Sequence, residues 1–381
     1  MQKRLMVLIC LIFINSICFG QAVFQWVLTP PSASIIGMGG GGTGFHSDDP
    51  LSVYYNPANG LAAYAGFSAN FARYYEDDFY IMSDMKLGYD FQYYGVNLVP
   101  ATFPFKIVIS QQRFDYDIPF ESMIWDEETG EYVDYKMNSI RKSIGYSLSF
   151  GYENTDFKIP LNISAGISGK NVKDAVKDKT RELFNEKAAM YDFGFISEFP
   201  FTFSDVQKLP GCKMVLAPSF GVSMQNYGAL YEQKIENAAY WDNDTVTYQT
   251  VVNEMPLPRQ FNLGFSFHGK LEHQSGINLV DFVMYREISD LLVKSKMGFS
   301  EDYHRPFRDI ELYDNFILNN SQRVNIYSGL QVSVFDLLRL RYGFDKLSRM
   351  DTRGIGVKSD GLFYSLKYCT GSDVFLLIPI F

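Results

Sequence analysis

The side chains best able to do chemistry in this sequence are four histidines, His46, His268, His273 and His304. Ser266 stands two residues before His268, and side chains at that spacing share one face of a β-strand. A hydroxyl beside an imidazole could supply a nucleophile and its base. Serine is abundant in these segments, so coincidence explains the pair better. The sequence contains no H-E-x-x-H, G-x-S-x-G or C-x-x-C motif. We expect a protein that is not an enzyme and uses no cofactor and no metal.

A second candidate site is the glycine-rich run G-M-G-G-G-G-T-G at residues 37–44. Its first six residues match G-x-G-x-x-G, the pattern that binds a dinucleotide phosphate. No buried strand is predicted before the run, no helical pattern follows it and no lysine stands at a Walker position, which argues against a nucleotide site. Two interpretations stay open. The run is either a flexible loop or a segment whose missing side chains let the backbone pass close to other groups.

Polar residues follow the glycine run at two places. Asp48 and Asp49 are adjacent carboxylates, which could suggest a cation site, but they lack further spaced oxygen ligands. A role as a cap or in a turn is the better interpretation. Asn56 precedes Pro57, and proline moves the residue before it toward an extended conformation, so this pair predicts a turn.

The elements that must position these residues are indicated by an alternation of large apolar and small side chains. Residues 143–152 read S-I-G-Y-S-L-S-F-G-Y. Successive side chains of a strand point to opposite faces, so this segment predicts a strand with one apolar face and one small, polar face. The pattern recurs in seven further segments, at residues 67–72, 93–98, 161–168, 191–195, 261–268, 326–334 and 362–368.

Residues 1–20 are predicted to be a secretory signal peptide. Lys3 and Arg4 precede an apolar run, and small residues follow up to Gly20. A retained anchor helix is the alternative. No later stretch reaches the roughly 18 consecutive apolar residues of a spanning helix. A chain embedded in lipid without such a helix must close a sheet on itself. We therefore expect an all-β protein, a transmembrane antiparallel β-barrel in a bacterial outer membrane, of about 12 to 16 strands.

Composition agrees with this expectation. The net charge is −9 and becomes −11 without Lys3 and Arg4, which argues against a nucleic-acid partner. Phenylalanine and tyrosine number 33 and 26, a load that barrels place in aromatic girdles at the membrane interfaces. Cys212 and Cys369 remain after the signal is removed, and whether they pair is left open. A terminal aromatic, Phe381, is the usual signal for outer-membrane assembly.

Four long polar interruptions are predicted to be extracellular loops, at residues 114–138, 171–187, 231–255 and 299–320. The second of them could form a short surface helix. Aromatic residues in these loops are candidates for binding a partner protein, and an outer aromatic girdle is the alternative. The candidates are Trp125, Tyr132, Tyr240, Trp241 and Tyr303.

Residues 36–61 resemble the signature near the start of the FadL-like outer-membrane barrels. That superfamily includes transporters of hydrophobic compounds and the PorV/PorQ proteins of type IX secretion. The matching residues are Gly37, Gly39, Gly40, Gly44, Asp48, Asp49, Pro50, Tyr55, Asn56, Pro57 and Ala58. Residues 257–267, 335–344 and 353–358 are more similar to the PorV branch. The resemblance implies a barrel of about 14 strands at residues 63–381, with residues 21–62 folded inside the lumen as a hatch.

The resemblance also implies a function. It favours a PorV/PorQ-type barrel that binds exported proteins, with passive transport of hydrophobic compounds as the alternative and a structural role beside another envelope protein as a third. The hatch or gating residues would then be Gly37, Gly39, Gly40, Asp48, Asp49, Asn56, Pro57 and Ala58. The expected partners are outer-membrane lipid, exported proteins or other secretion components, and for the transporter a hydrophobic small molecule.

Overall fold

We analysed a computed structural model of the chain. The structure describes residues 24–28, 32–47, 49–63, 67–76, 87–97, 105–126, 131–154, 160–178, 182–204, 211–242, 245–274, 278–293, 303–307, 324–335, 338–346, 350–359, 362–369 and 374–377. The predicted signal peptide, Asp48 and Phe381 lie outside these ranges, so their predictions stay predictions.

The protein is all-β, as the alternating pattern predicted, with one large antiparallel sheet and almost no helix. The strands are β1 (Phe67–Glu76), β2 (Leu87–Asn97), β3 (Phe105–Asp126), β4 (Glu131–Asn154), β5 (Leu161–Asp178), β6 (Glu182–Glu198), β7 (Phe201–Ser204), β8 (Cys212–Tyr227), β9 (Tyr231–Asp242), β10 (Thr245–Met255), β11 (Gln260–His273), β12 (Asn278–Leu291), β13 (Asn325–Val334), β14 (Leu338–Asp345), β15 (Met350–Ser359), β16 (Leu362–Cys369) and β17 (Val374–Leu377).

Strands pair with their neighbours along the chain in almost every case. The sheet has the order β1-β2-β3-β4-β5-β6-β8-β11-β12-β13-β14-β15-β16-β17, with the short β7 on the edge of β8. Strands β9 and β10 form a separate two-stranded hairpin between β8 and β11. The first and last strands of the sheet, β1 and β17, approach each other to within 8 Å between Cα atoms.

Three of the four predicted loops are wrong in their local structure. Residues 114–138 and 171–187 belong largely to the paired strands β3–β4 and β5–β6, and residues 231–255 form the β9–β10 hairpin. The prediction failed because it required an apolar face. Here charged side chains stand on the strands and pair across them, as Arg141 does with Asp174 at 3.4 Å. The fourth predicted loop, 299–320, is described only at residues 303–307.

The two faces of the sheet differ in the way the alternation predicted. On β4, Ser147 and Ser149 are buried, whereas Tyr146 and Phe150 are 58% and 46% exposed. We call the first side the buried face and the second the exposed face. The exposed face carries large apolar side chains on most described strands, among them Phe105, Ile109, Ile144, Ile167, Tyr191, Phe193, Phe195, Phe265, Met284, Leu330, Leu340, Tyr342 and Ile355.

The residues before the sheet form short helical turns that local sequence explains. Ser32 caps a helix at Ala33–Gly37, and its hydroxyl accepts a hydrogen bond from Ile35 N. Asp49 and Asn56 each cap a 3₁₀ turn, Pro50–Tyr54 and Pro57–Asn59, whose first residue is a proline. A last helical turn covers Gly60–Ala63. No helix in the described part of the chain is long and apolar enough to cross a membrane.

Candidate functional site

Residues 32–63, which we call the N-terminal segment, lie along the buried face of the sheet. Their contacts run across the strands in reverse order. They begin with Gly37 at β14 and β15 and Gly39 at β13 and β14, and continue with Gly41 and Thr43 at β12, Gly44 at β8 and β11, Asn56 at β6 and β8, Pro57 at β5, and Gly60 at β4. One short segment therefore touches nine successive strands of the sheet.

Glycines of the sheet explain how the segment fits. A Cβ atom added at Gly343 would lie 1.9 Å from the carbonyl carbon of Met38, and one at Gly221 would lie 2.1 Å from the carbonyl oxygen of Thr43. One at Gly166 would lie 2.3 Å from the carbonyl carbon of Pro57. Real Cβ atoms do not approach so closely, so these glycines are places where another backbone passes close to the strand. The small side chains predicted for this face therefore make room for the N-terminal segment.

Glycines of the glycine-rich run make the same kind of close contact, now contributed by the N-terminal segment and not by the sheet. Gly39 and Gly40 have φ values of +102° and +99°, which side-chain-bearing residues rarely adopt. A Cβ atom at Gly39 would lie 2.7 Å from the carbonyl oxygen of Ser328. Thr43 and Gly44 are buried. The run is thus a close-packed stretch of backbone, which favours the second of its two interpretations over a flexible loop.

Two side chains of β12 bind the backbone of this run. The Glu287 carboxylate accepts hydrogen bonds from Thr43 N at 2.7 Å and from Thr43 Oγ1 at 3.1 Å. The Tyr285 hydroxyl accepts from Gly41 N at 2.9 Å and donates to the Met38 carbonyl at 2.6 Å. Sequence reasoning missed both residues. A glutamate on a face otherwise rich in glycine and serine is the signal that could have found one of them.

Asn56 joins the segment to itself and to the sheet. Its Oδ1 accepts a hydrogen bond from Ala58 N at 3.0 Å, which caps the following turn. Its Nδ2 donates to the Thr43 carbonyl at 2.9 Å and reaches carbonyl oxygens of Phe195 and Val222 at 3.3 Å. The side chain is fully buried. Asn56, Pro57 and Ala58, all predicted site residues, are therefore anchoring residues at the contact with β5, β6 and β8.

The carboxylate of Asp49 has the capping role that the sequence favoured. Its Oδ1 accepts from Leu51 N at 2.9 Å, and its Oδ2 accepts from the hydroxyls of Ser32 and Ser34. These bonds connect the start of the segment to its middle. Within the described ranges, no group of three or more His, Cys, Asp or Glu residues is arranged to hold a metal ion.

A buried ion pair lies where the segment meets β5 and β6. Lys170 Nζ and Asp192 Oδ2 are 3.0 Å apart, and both side chains are almost fully buried. Asp192 also accepts from Asn226 N at 2.7 Å, and the ammonium group lies 5.4 Å from the centre of the Tyr54 ring. Sequence reasoning placed Asp192 on the small face but did not find Lys170 as its partner, because the pairing depends on strand register.

Burial also sets the protonation of groups in the segment. Desolvation raises the pKa of the Tyr54 and Tyr55 hydroxyls, so both stay neutral. Desolvation lowers the pKa of His46, and the carboxylates of Glu198 and Glu153 oppose this shift in part. His46, one of the four histidines noted in the sequence, is therefore held neutral inside the structure.

Ser266 and His268 do not pair with each other. The Ser266 hydroxyl is 2.6 Å from the Ser219 hydroxyl, and His268 Nε2 is 3.0 Å from Asp281 Oδ2. The coincidence interpretation of the sequence is confirmed. Cys212 is a free, buried thiol.

The candidate aromatic residues lie on β3, β4 and β9 and in the segment 303–307. Trp125 and Tyr132 are register partners beside the β3–β4 turn, and Tyr240 and Trp241 stand near the β9–β10 turn. Tyr303 is half-buried, its hydroxyl accepts from Leu257 N at 2.7 Å, and its ring lies 3.7 Å from the Arg259 guanidinium carbon.

Residues 24–28 pack against the start of β9 and against side chains of β3, β5 and β6. Phe24 packs edge-on against Tyr231 at 5.3 Å between ring centres, and Trp26 stacks on Phe114 at 5.1 Å. Phe24 and Val27 share an apolar cluster with Val172, Met190, Tyr231 and Leu257.

No family model matches the sequence, and no curated protein matches it significantly.

Proposed function

We propose that this chain is an outer-membrane β-barrel of the FadL superfamily, closest to the PorV/PorQ branch. Its N-terminal segment would plug the lumen, and the barrel would take part in protein secretion or surface assembly by binding exported proteins at its extracellular end. The observation that carries the proposal is the N-terminal segment bound along the buried face of nine successive strands.

All-round burial of the segment supports closure of the sheet. Thr43, Ser52, Asn56, Ala58 and Asn59 are fully buried, although the described residues contain no long helix and no further sheet except the two-stranded β9–β10 hairpin. A flat sheet covers only one side of what lies on it. Curvature of the sheet around the segment would account for this burial, and the approach of β1 to β17 supports a closed ring.

The exposed face supports a lipid environment. On β4, residues 144, 146, 148, 150 and 152 are apolar or aromatic and point away from the buried serines. The stretch from residue 144 to residue 152 is nine residues long and spans about 30 Å, close to the length of roughly 9–11 residues that a tilted transmembrane strand needs. A contiguous apolar surface of this extent is unfavourable in water.

Two features favour surface binding over passage. The plug is held by the buried bonds of Asn56, Glu287 and Tyr285, so opening a path would break many of them together. The strands β3 and β4 continue for about twelve residues beyond Phe114, or roughly 40 Å, and provide a surface far larger than a loop. The long side of such barrels is extracellular.

A reversible lock on the plug tests the proposal. A Cβ atom at Gly37 would lie 3.7 Å from the Cβ of Arg341, near the mean of about 3.8 Å in disulfides. We expect the double variant Gly37→Cys with Arg341→Cys, with Cys212 and Cys369 changed to serine, to support secretion equally when oxidised and reduced. Secreted proteins and uptake of hydrophobic compounds are measured beside a strain that lacks the gene.

The single-cysteine variants are the controls for this lock. The gene-deletion strain should lose secreted proteins and retain uptake. Secretion lost on oxidation and restored by reductant would contradict binding at the surface. Lost uptake with normal secretion in the deletion strain would favour the passive transporter instead.

A further inference from the structure

An apolar pocket lies on the buried face, near the end of the sheet that carries the β3–β4, β5–β6 and β9–β10 turns. Val172 on β5 is two residues beyond Lys170 toward the β5–β6 turn, so in the proposed barrel the pocket is on the extracellular side. Each side chain that lines it is less than one-tenth exposed. The lining residues, which we call the outer pocket, are Phe114, Val172, Met190, Tyr231 and Leu257.

The outer pocket is filled by residues 24–28, which we call the outer arm. The arm has the sequence F-Q-W-V-L. Phe24 and Val27 are each 3% exposed inside the pocket, and Trp26 stacks on Phe114. Two aromatic rings and one aliphatic side chain from a distant part of the sequence thus show which side chains the pocket accepts. An apolar peptide rich in aromatic residues has the matching chemistry.

The outer arm is held differently from the N-terminal segment. The N-terminal segment donates hydrogen bonds to buried groups of the sheet, as Thr43 and Asn56 do. Rings and aliphatic side chains hold the outer arm, and its backbone bond from Val27 N to the Phe24 carbonyl, at 3.0 Å, stays within the arm. Apolar contacts are not directional. A peptide with similar side chains can therefore replace the arm while residues 32–63 stay bound.

Two features indicate that the outer arm is not the best occupant of the pocket. Phe24 has a φ of +58°, where the Cβ atom of a side-chain-bearing residue crowds the following carbonyl. Such residues are concentrated at ligand-binding and switch regions. The Tyr231 hydroxyl is buried, and the described residues give it no hydrogen-bond partner, which costs free energy. A peptide with a relaxed backbone and a carbonyl group near Tyr231 would remove both costs.

From the chemistry of its present occupant, we infer that the outer pocket binds an apolar, aromatic-rich peptide segment of an exported protein. The outer arm is then an autoinhibitory contact, which closes the pocket until that segment displaces it. The inference rests on the proposed function. It adds a defined site for the exported protein and a reason for the arm, since an open apolar pocket would bind unrelated apolar surfaces.

Deletion of the outer arm tests the inference, with a dye-labelled synthetic peptide of residues 21–31 as the probe. The full barrel and a barrel that lacks residues 24–28 are compared in detergent micelles by fluorescence anisotropy. We expect the barrel without the arm to bind the peptide at least tenfold more tightly. The reason is that the attached arm competes at an effective concentration in the millimolar range.

Matched variants show whether the peptide enters the outer pocket. Leu257 and Val324 are both fully buried, but Val324 belongs to a different apolar cluster. In the barrel without the arm, Leu257→Asn should weaken peptide binding at least tenfold, and Val324→Asn should keep it within twofold. A peptide carrying Phe24→Ala, Trp26→Ala and Val27→Ala should bind at least tenfold more weakly than the natural peptide. Circular dichroism checks that each barrel keeps its β-structure.

Displacement of the arm is measured on the complete chain, so that it does not depend on the deletion. The chain has three tryptophans, and Trp125→Phe with Trp241→Phe leaves only Trp26. A peptide of residues 21–31 carrying Trp26→Phe, at millimolar concentration, should shift the emission of the barrel to longer wavelength as Trp26 leaves the pocket. The alanine-substituted peptide should leave the emission unchanged.

Several outcomes would overturn the inference. These are equal peptide affinity with and without the arm, equal losses in Leu257→Asn and Val324→Asn, and Trp26 emission that no peptide changes. A fatty acid that shifts the emission at lower concentration than the peptide would mean a site for small hydrophobic molecules.

Capture of secreted proteins separates this inference from the proposed function. We expect the barrel without the arm to capture secreted proteins at least fivefold better than the complete chain, and the peptide to compete with them. Failure of both barrels to capture any secreted protein would contradict the proposed function itself. Equal capture by both barrels, with no competition by the peptide, would contradict only the role of the outer arm.

Discussion

Asp192 and Phe193 are adjacent in the sequence, yet they belong to two regions with opposite requirements. Asp192 lies on the buried face, where it binds Lys170 and Asn226 and is 2% exposed. Phe193 lies on the exposed face and is 42% exposed. A soluble β-sandwich has polar residues outside and apolar residues inside. Here the polar network lies on the buried face, where it holds a second part of the same chain.

The comparison teaches that each face is selected by what it touches. The buried face touches backbone and hydrogen-bonding groups of the N-terminal segment, so it is sensitive to volume and to unpaired polar atoms. In the proposed outer-membrane location the exposed face would need only to be apolar, so it should tolerate changes of shape and reject charge. Substitutions at matched positions on the two faces can separate these requirements.

The largest effect is expected on the buried face at Asp192. Asp192→Ala would leave the Lys170 ammonium buried without its carboxylate, and breaking such a pair costs about 3–5 kcal/mol. Denaturant titration in lipid vesicles, followed by tryptophan fluorescence, measures the free energy of unfolding. The double variant Lys170→Met with Asp192→Leu removes both charges and should lose much less. Equal losses in the two variants would show that the charge pairing is not what matters there.

A slightly smaller loss of stability is expected at the adjacent residue, Phe193, on the exposed face. Phe193 lies opposite Ile167, between the exposed side chains of Tyr191 and Phe195. In the proposed outer-membrane location this position lies in the hydrocarbon, where a cation at the midplane costs about 2–4 kcal/mol. Phe193→Arg should therefore reduce the free energy of unfolding in vesicles by that amount, whereas Phe193→Leu should change it by less than about 1 kcal/mol. If arginine were tolerated as well as leucine, the exposed face would not contact hydrocarbon.

Structure could be predicted from the sequence where a local pattern of residues within one element determines its conformation. The alternation at residues 143–152 predicted both faces of β4, and the Asn56–Pro57 pair predicted a turn that the structure shows as a capped 3₁₀ turn. It failed where the signal is weak or shared between distant parts of the chain. Residues 171–187 lack an apolar face, so the continuation of β5 and β6 into this stretch was missed.

Contacts between distant residues leave no local trace in one sequence. Met38 packs against Gly343, some three hundred residues later, and Lys170 pairs with Asp192 only because β5 and β6 adopt one register. A glycine on a strand is compatible with a bulge, a weak strand or a close approach. Only the three-dimensional arrangement shows which of the buried-face glycines receive the N-terminal segment.

Two glycines on β5 provide the finest test of the comparison. A Cβ at Gly166 would lie 2.3 Å from the Pro57 carbonyl carbon, whereas one at Gly169 would lie 3.7 Å from the Tyr191 ring, an ordinary contact. Gly166→Ala should therefore cost about 1–3 kcal/mol through overpacking and should expose the N-terminal segment to protease. Gly169→Ala should be neutral or slightly stabilising, because alanine restricts the unfolded chain. Equal protease sensitivity of the two variants would mean that the segment does not depend on the space left at Gly166. Rapid cleavage of Gly166→Ala alone would show that the N-terminal segment stays bound only when no methyl group occupies this position on the buried face.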